Sequence, residues 1–243
     1  MISVIVPVMN EEGNIAPLIN EIALAATTSP ITEIIYIDDG STDNTYAVLT
    51  QLTTQFPMLR VLQHDRRSGQ STALLTGIRA ATNEVIATLD GDGQNDPADI
   101  PALYDLYKTE TISGAKVMIT GRRTKRQDNF GRRFASRFAN RLRAYLLKDS
   151  TPDTGCSLKM FTRTDYLELP FFNHMHRFLP ALMIRNGVRL AHVGVSHRPR
   201  TTGTSKYTNF NRAIVGIADL MGVMWLQRRA SLLPITSEYK KER

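Results

Sequence analysis

Glu84-Val85-Ile86-Ala87-Thr88-Leu89-Asp90-Gly91-Asp92-Gly93-Gln94 is an apolar run that breaks into an acidic, glycine-rich turn. The run lacks the strict polar alternation of a half-exposed strand, as expected of a parallel strand buried on both faces. Similar runs occupy Ile2–Val8 and residues 33–37, 60–63 and 116–120. Helical patterns lie between them, at about residues 13–26, 43–55, 69–82 and 97–108. The alternation predicts an α/β fold: a Rossmann-like, mostly parallel sheet flanked by helices. In such sheets ligands bind beyond the carboxyl ends of the strands. Asn10-Glu11-Glu12, Asp38-Asp39-Gly40 and Asp90-Gly91-Asp92 each follow a strand, so they are predicted to share one rim.

Bulk composition narrows the classes. The 243 residues are 42% hydrophobic and 22% charged, which excludes a wholly disordered chain. A net charge of +7 could face nucleic acid, anionic lipid or a phosphorylated substrate. A nucleic-acid partner is not expected, because no recognised binding motif accompanies the charge. With the single cysteine, Cys156, no intramolecular disulfide forms, and the five histidines show no zinc-ligand spacing. The opening Met1-Ile2-Ser3-Val4-Ile5-Val6-Pro7 reads as a buried strand rather than a signal peptide. No apolar run reaches the ~20 residues that span a bilayer. Residues 213–226 come nearest, but are short and carry Asp219. The expectation is a cytoplasmic chain that touches the cytosolic face of a membrane.

From residue 122 the character changes. Residues 122–143 are rich in Arg and Lys and contain one acid, Asp128. Phe130, Phe134 and Phe138 recur every four residues, with Arg133, Arg137 and Arg141 on an adjacent face, a basic amphipathic helix. Shorter strands are expected around 156–161 and 188–195. A basic loop, Arg198 to Lys206, follows, and then an apolar helix from about 211 to 226. Two units are expected: 1–208 as the catalytic domain, and 209–243 as a C-terminal helix and charged tail. That tail would meet a membrane surface or a second copy in a homo-oligomer.

Asp90-Gly91-Asp92 is the sharpest chemical signal. Two carboxylates one residue apart on a turn can converge on a hard divalent cation, Mg2+ or Mn2+. A calcium loop fails on spacing: Asn95 stands where its glycine belongs and Pro101 where its bidentate Glu belongs. Asp39, after an apolar strand, can accept hydrogen bonds from a base or ribose. Asp43 suits the N-cap of the next helix. Glu11 and Glu12 fit a helix N-terminus, where the dipole favours acids.

These three acidic motifs, in this order and spacing, resemble the family 2 glycosyltransferases of GT-A fold. The resemblance is greatest to the polyprenyl-phosphate branch, which includes dolichol-phosphate mannosyltransferases. Gly121-Arg122-Arg123, Asp153-Thr154-Gly155, and Arg200 with Gly203 and Ser205-Lys206 add to it. The likeness implies that Pro7, Met9, Glu11, Ile37 and Asp39 hold the nucleoside of a nucleotide-sugar. It implies that Asp90 and Asp92 bind metal and diphosphate, with Gly91 and Gln94 lining the donor site. Asp92, Arg123, Arg200 and Lys206 would be catalytic, the basic ones closing on phosphates. Arg132, Arg133 and Arg137 would meet the phosphate of a polyprenyl acceptor. Met9 stands where the family often has Tyr, which leaves a UDP or a GDP donor open. The implied reaction is hexosyl transfer, of mannose or a related sugar, with inversion. A glycan hydroxyl acceptor, with Asp153 as base, and a non-catalytic nucleotide-sugar-binding module are the alternatives.

Overall fold

The computed structural model describes residues 1–124, 143–147, 149, 151, 153–199 and 209–230, with only the backbone at 209–215. The predicted helix within 122–143, Arg132, Arg133, Arg137, Arg200 and Lys206 lie outside the described residues.

The first half alternates strand and helix as expected. It runs β1 (Ile2–Val8), α1 (Glu12–Ala25), β2 (Ile31–Asp38), α2 (Thr45–Leu52), β3 (Leu59–Gln63), α3 (Gln70–Ala80), β4 (Val85–Thr88), α4 (Ile100–Thr111) and β5 (Val117–Arg123). The second half adds β6 (Lys159–Thr162), α5 (Arg163–Leu167), α6 (Leu179–Arg185), β7 (Arg189–Val195) and α7 (Asn209–Arg228). One sheet holds all seven strands in the order β3-β2-β1-β4-β6-β5-β7. β1 pairs in parallel with β2 and β4, β2 with β3, and β5 with β7. β6 runs antiparallel to both β4 and β5. That reversal brings the segment before Lys159 to the same rim as the turn after β4.

Two apolar layers sandwich the sheet. α1 buries Ile15, Leu18, Ile19 and Ile22 at helical spacing, together with Leu49 of α2 and Leu103 of α4. On the other face Leu74 and Ile78 of α3 meet Phe161, Tyr166, Leu182 and Val223. Strand alternation divides β2 between the layers: Ile34 and Tyr36 face one, Ile35 and Ile37 the other. α5 starts at a side-chain cap, Thr162 Oγ1 accepting from the Asp165 N–H at 3.1 Å. α2 departs from its predicted cap. It begins after Asn44, whose side chain makes no cap bond. Asp43 stands one position further out and accepts from the Thr45 N–H at 3.0 Å. The strand expected from residue 156 begins at Lys159, because 156–158 serve as a loop that braces the turn after β4.

Candidate active site

The ends of β1, β2 and β4 converge, and their loops are tied together. The Asn10 N–H donates to Ser41 Oγ at 2.9 Å, and the Glu11 N–H to Thr45 Oγ1 at 2.9 Å. Asn10 Oδ1 accepts from the Thr42 N–H at 2.8 Å. Asn10 has φ 56, a left-handed conformation that Asn tolerates better than most residues. These bonds hold the first two motifs in register at the mouth of a cleft.

That cleft is a cavity of about 230 Å³ lined by Pro7, Met9, Glu11, Asp39, Asp90 and Asp92, with Gly91 in its wall. Seven of the predicted donor residues thus come together. Ile37 does not line it. Alternation turns its side chain into the core under α3, where it is fully buried. Gln94 is also outside the lining; its N–H donates to Asp92 Oδ1 at 3.1 Å and shapes the turn. Glu11 accepts from Asn14 Nδ2 at 2.7 Å, which orients its carboxylate at the start of α1.

Asp39 is 5% exposed and holds its surroundings through both oxygens. It accepts from the Ser68 N–H at 2.8 Å and the Gly69 N–H at 2.8 Å. His64 Nδ1 lies 2.8 Å from Asp39 Oδ1, and its Nε2 lies 3.0 Å from Thr76 Oγ1. Asp39 therefore anchors the 64–69 loop that walls the cavity, a role its sequence position did not reveal.

Asp90 sits where that cleft meets a second one. Gln70 Nε2 donates to its Oδ1 at 2.8 Å, and its own N–H donates to Ser157 Oγ at 3.1 Å. Ser157 Oγ in turn donates to Asn95 Oδ1 at 2.6 Å, pinning the acidic turn to the loop before β6. Burial and the adjacent Asp92 charge push the Asp90 carboxyl up to about 6, against hydrogen bonding from Ser157 and Gln70 and the charge of Lys159. Two acids that repel one another on a turn suit a cation. Among the described residues no group of three or more His, Cys, Asp or Glu could hold one. Asp90 and Asp92 would therefore share it with ligand oxygens, as Mg2+ does when bound by one or two carboxylates and phosphates.

The second cavity, about 840 Å³, opens on the other side of Asp90 and Gln70 and shares Arg67 and Gly69 with the first. Leu74, Tyr166, Phe178, Leu179 and Leu220 give it apolar walls. Lys159, His176 and Arg143 add polar groups. His176 Nδ1 lies 2.8 Å from Ser71 Oγ, and burial pushes its imidazole down to about 3, so it is neutral. Arg143 forms a bidentate pair with the buried Asp149, at 2.9 Å to each oxygen. Sequence reasoning missed this cavity. The available signal was Lys159 itself, a lone cation inside the apolar run Leu158-Lys159-Met160-Phe161.

Arg123 is held by Asp153, its Nε donating at 2.6 Å and its Nη2 at 2.7 Å to the two carboxylate oxygens. Asp153 is thus a partner of Arg123 through both oxygens. Cys156 is buried and its thiol is raised by burial, which suits a packing residue rather than a nucleophile. Arg198 pairs with Glu21 and, at 2.6 Å, with Asp96, fixing the entry to the segment that carries Arg200 and Lys206.

Comparison with known proteins agrees with this geometry. A profile of the family described as "Glycosyl transferase family 2" matches residues 3–169. The chain is 34% identical over 232 residues to the dodecaprenyl-phosphate galacturonate synthase of Rhizobium johnstonii, covering 93% of this chain and 67% of that protein. It is 32% identical over 210 residues to the undecaprenyl-phosphate 4-deoxy-4-formamido-L-arabinose transferase of Pectobacterium carotovorum, covering 85% of this chain and 62% of that one. The chain thus spans about two thirds of the length of these relatives. Among solved structures, the glucosyl-3-phosphoglycerate synthase of Mycobacterium tuberculosis with Mn2+, UDP-glucose and phosphoglyceric acid aligns with a TM-score of 0.65 at 19% identity. The alignment covers 93% of this chain and 79% of that one, and it shows a shared GT-A fold.

Proposed function

The chain belongs to glycosyl transferase family 2, and from that premise we propose that it transfers a sugar from a nucleoside-diphosphate-sugar to a polyprenyl phosphate, with inversion and with Mg2+ or Mn2+ as cofactor. The observation that carries this reading is Asp90, which lines both cavities. A donor whose nucleoside occupies the smaller cavity places its diphosphate at Asp90 and Asp92. The larger, apolar-walled cavity then receives the acceptor from the opposite side of the same carboxylate.

In this reaction an oxygen of the acceptor phosphate forms a bond to the anomeric carbon. The bond from that carbon to the diphosphate breaks, and its electron pair leaves with the nucleoside diphosphate. A divalent cation, when bound, supplies positive charge to the leaving diphosphate. Asp90 and Asp92 would hold the cation; Gln70 and the Gln94 N–H fix the carboxylates, and Ser157 Oγ holds the Asp90 backbone N–H. Arg200 and Lys206 add charge at the phosphates, and Arg132, Arg133 and Arg137 gather the lipid phosphate; Arg123 lines neither cavity and, paired with Asp153, acts at most from behind the Gly155 wall. A phosphate acceptor is already anionic, so it needs no strong general base. A hydroxyl acceptor would need one, and Asp153 is occupied with Arg123.

We place the reaction at the cytosolic face of a membrane. Among the described residues no helix is long and apolar enough to cross one. On α7, Ile217, Met221 and Trp225 recur every four residues and are 58%, 61% and 60% exposed, a stripe suited to a lipid surface. The sugar is a hexose such as mannose or a related pyranose.

The test is a donor screen with a short polyprenyl phosphate, Mg2+ or Mn2+, and common UDP- and GDP-sugars, read by product mass. One glycosylated prenyl phosphate is expected; no transfer from any donor sinks the proposal. Asp92→Asn should fold normally by circular dichroism and lose about 10²–10³-fold in turnover, the scale of removing one group that stabilises developing charge. Unchanged turnover would exclude the metal role.

A further inference from the structure

Lys159 is 5% exposed, yet it lines the larger cavity. Its ammonium donates to the Cys156 carbonyl. Among the described residues it forms no ion pair, whereas Arg143 in the same cavity has Asp149. An ammonium has three donors; the charges of Asp90 and Asp153 act on this one, but neither closes an ion pair with it, and burial of an ammonium without a direct ion pair is costly. A second group in the cavity wall has no partner at all: the Tyr166 hydroxyl is buried and lacks a hydrogen-bond partner among the described residues. Buried polar atoms left unpaired in a cavity wall point to a ligand that completes them. The antiparallel pairing sets Lys159 opposite Thr88, directly before the acidic turn, while Tyr166 lies on α5, beyond the Thr162 end of β6, and reaches the same cavity from there.

We propose that Lys159, with Tyr166 in the wall of the same cavity, binds an oxyanion that a substrate brings into the larger cavity next to Asp90. Two substrate groups carry that chemistry. One is the monophosphate of the prenyl acceptor, and the other is the carboxylate of a uronic-acid sugar on the donor. The inference rests on the reading of the larger cavity as the acceptor side. Lys159 is a substrate-binding residue in this scheme.

Lys159→Met keeps the length and apolar stem of the side chain and removes the charge. Without ligand its thermal midpoint should equal or exceed that of the parent, because a buried ammonium that lacks a direct ion pair is lost. Its affinity should fall about 10- to 100-fold for farnesyl phosphate, or for a UDP-uronate relative to UDP-glucose, the scale of one charge-assisted hydrogen bond. The ligand that loses affinity identifies which oxyanion is read, and farnesol, which has no phosphate, should bind both proteins alike. Lys159→Arg should restore part of the loss. If Lys159→Met binds farnesyl phosphate and UDP-uronate as the parent does, the inference is overturned. It is overturned equally if the variant weakens only metal-dependent UDP binding, for Lys159 would then serve merely to offset Asp90. A parent protein that binds neither prenyl phosphate nor any nucleotide-sugar overturns the proposed function as well, so the two failures are distinct.

Discussion

A methyl group at Gly91 would meet Val8 Cγ1 at 2.3 Å and the Pro7 carbonyl at 3.3 Å. The turn between the two carboxylates therefore packs on the end of β1, and only hydrogen fits there. Gly91→Ala should cost about 1–3 kcal/mol, the usual range for overpacking, measured by denaturant unfolding. It should also weaken metal-dependent nucleotide binding, since Asp90 and Asp92 flank the displaced residue; an unchanged midpoint would contradict this packing. Asp90 and Asp92 were legible in the sequence because a strand ending in Asp-x-Asp carries its chemistry locally. Lys159 and Tyr166 were not, because their meaning depends on a cavity whose other walls come from α3, α6 and α7.

At the scale of elements, the site is built from loops braced by neighbouring loops. Gly40 has φ +68, and a Cβ there would lie 2.6 Å from the Arg67 nitrogen, so the β2–α2 turn and the 64–69 loop are in backbone contact. Asp39 closes that contact with bonds to Ser68, Gly69 and His64. Asp39→Asn sets an amide N–H₂ where one of two backbone N–H groups now donates. It should destabilise the loop by about 1–3 kcal/mol, the cost of an unmet buried donor. Faster hydrogen exchange at Ser68 and Gly69 is the expected readout, and exchange matching the parent would refute the bracing role. The long helices were legible to within a few residues through their apolar spacing. α5 and α6 were not, because five and seven residues are too short for a period to emerge.

Across the whole molecule, the rim carrying the site is balanced by a polar cluster at the opposite strand ends. Glu33 on β2 accepts from Ser3 on β1 at 2.5 Å, from the Thr82 N–H at 2.9 Å, and from Arg60 on β3. Burial alone would raise the Glu33 carboxyl, yet the bonds from Ser3, Thr82 and Arg60 hold it below its ordinary 4.5. A depressed carboxyl contributes stability above its unfolded value and loses it as pH falls through the folded value. Stability should therefore decline as pH drops below 4.5, and Glu33→Gln should be less stable at neutral pH with a flatter acid profile. Equal acid slopes for the two proteins, from denaturant midpoints, would show that Glu33 contributes nothing to the decline.

The sequence by itself determined the strand–helix alternation, the sheet class and the shared rim of Glu11, Asp39 and Asp90. Those features follow from local hydrophobic period and from the rule that parallel strands end on one side. Tertiary structure alone decided that β6 reverses between β4 and β5, that Ile37 turns into the core, and that Asp39 braces a loop. It also decided that Asp90 stands between two cavities. Each of these depends on which distant segments pack together. The acidic turn thus owes its carboxylates to residues 90–92, and its second cavity to α3 before it and to segments from Arg143 to Leu220 after it.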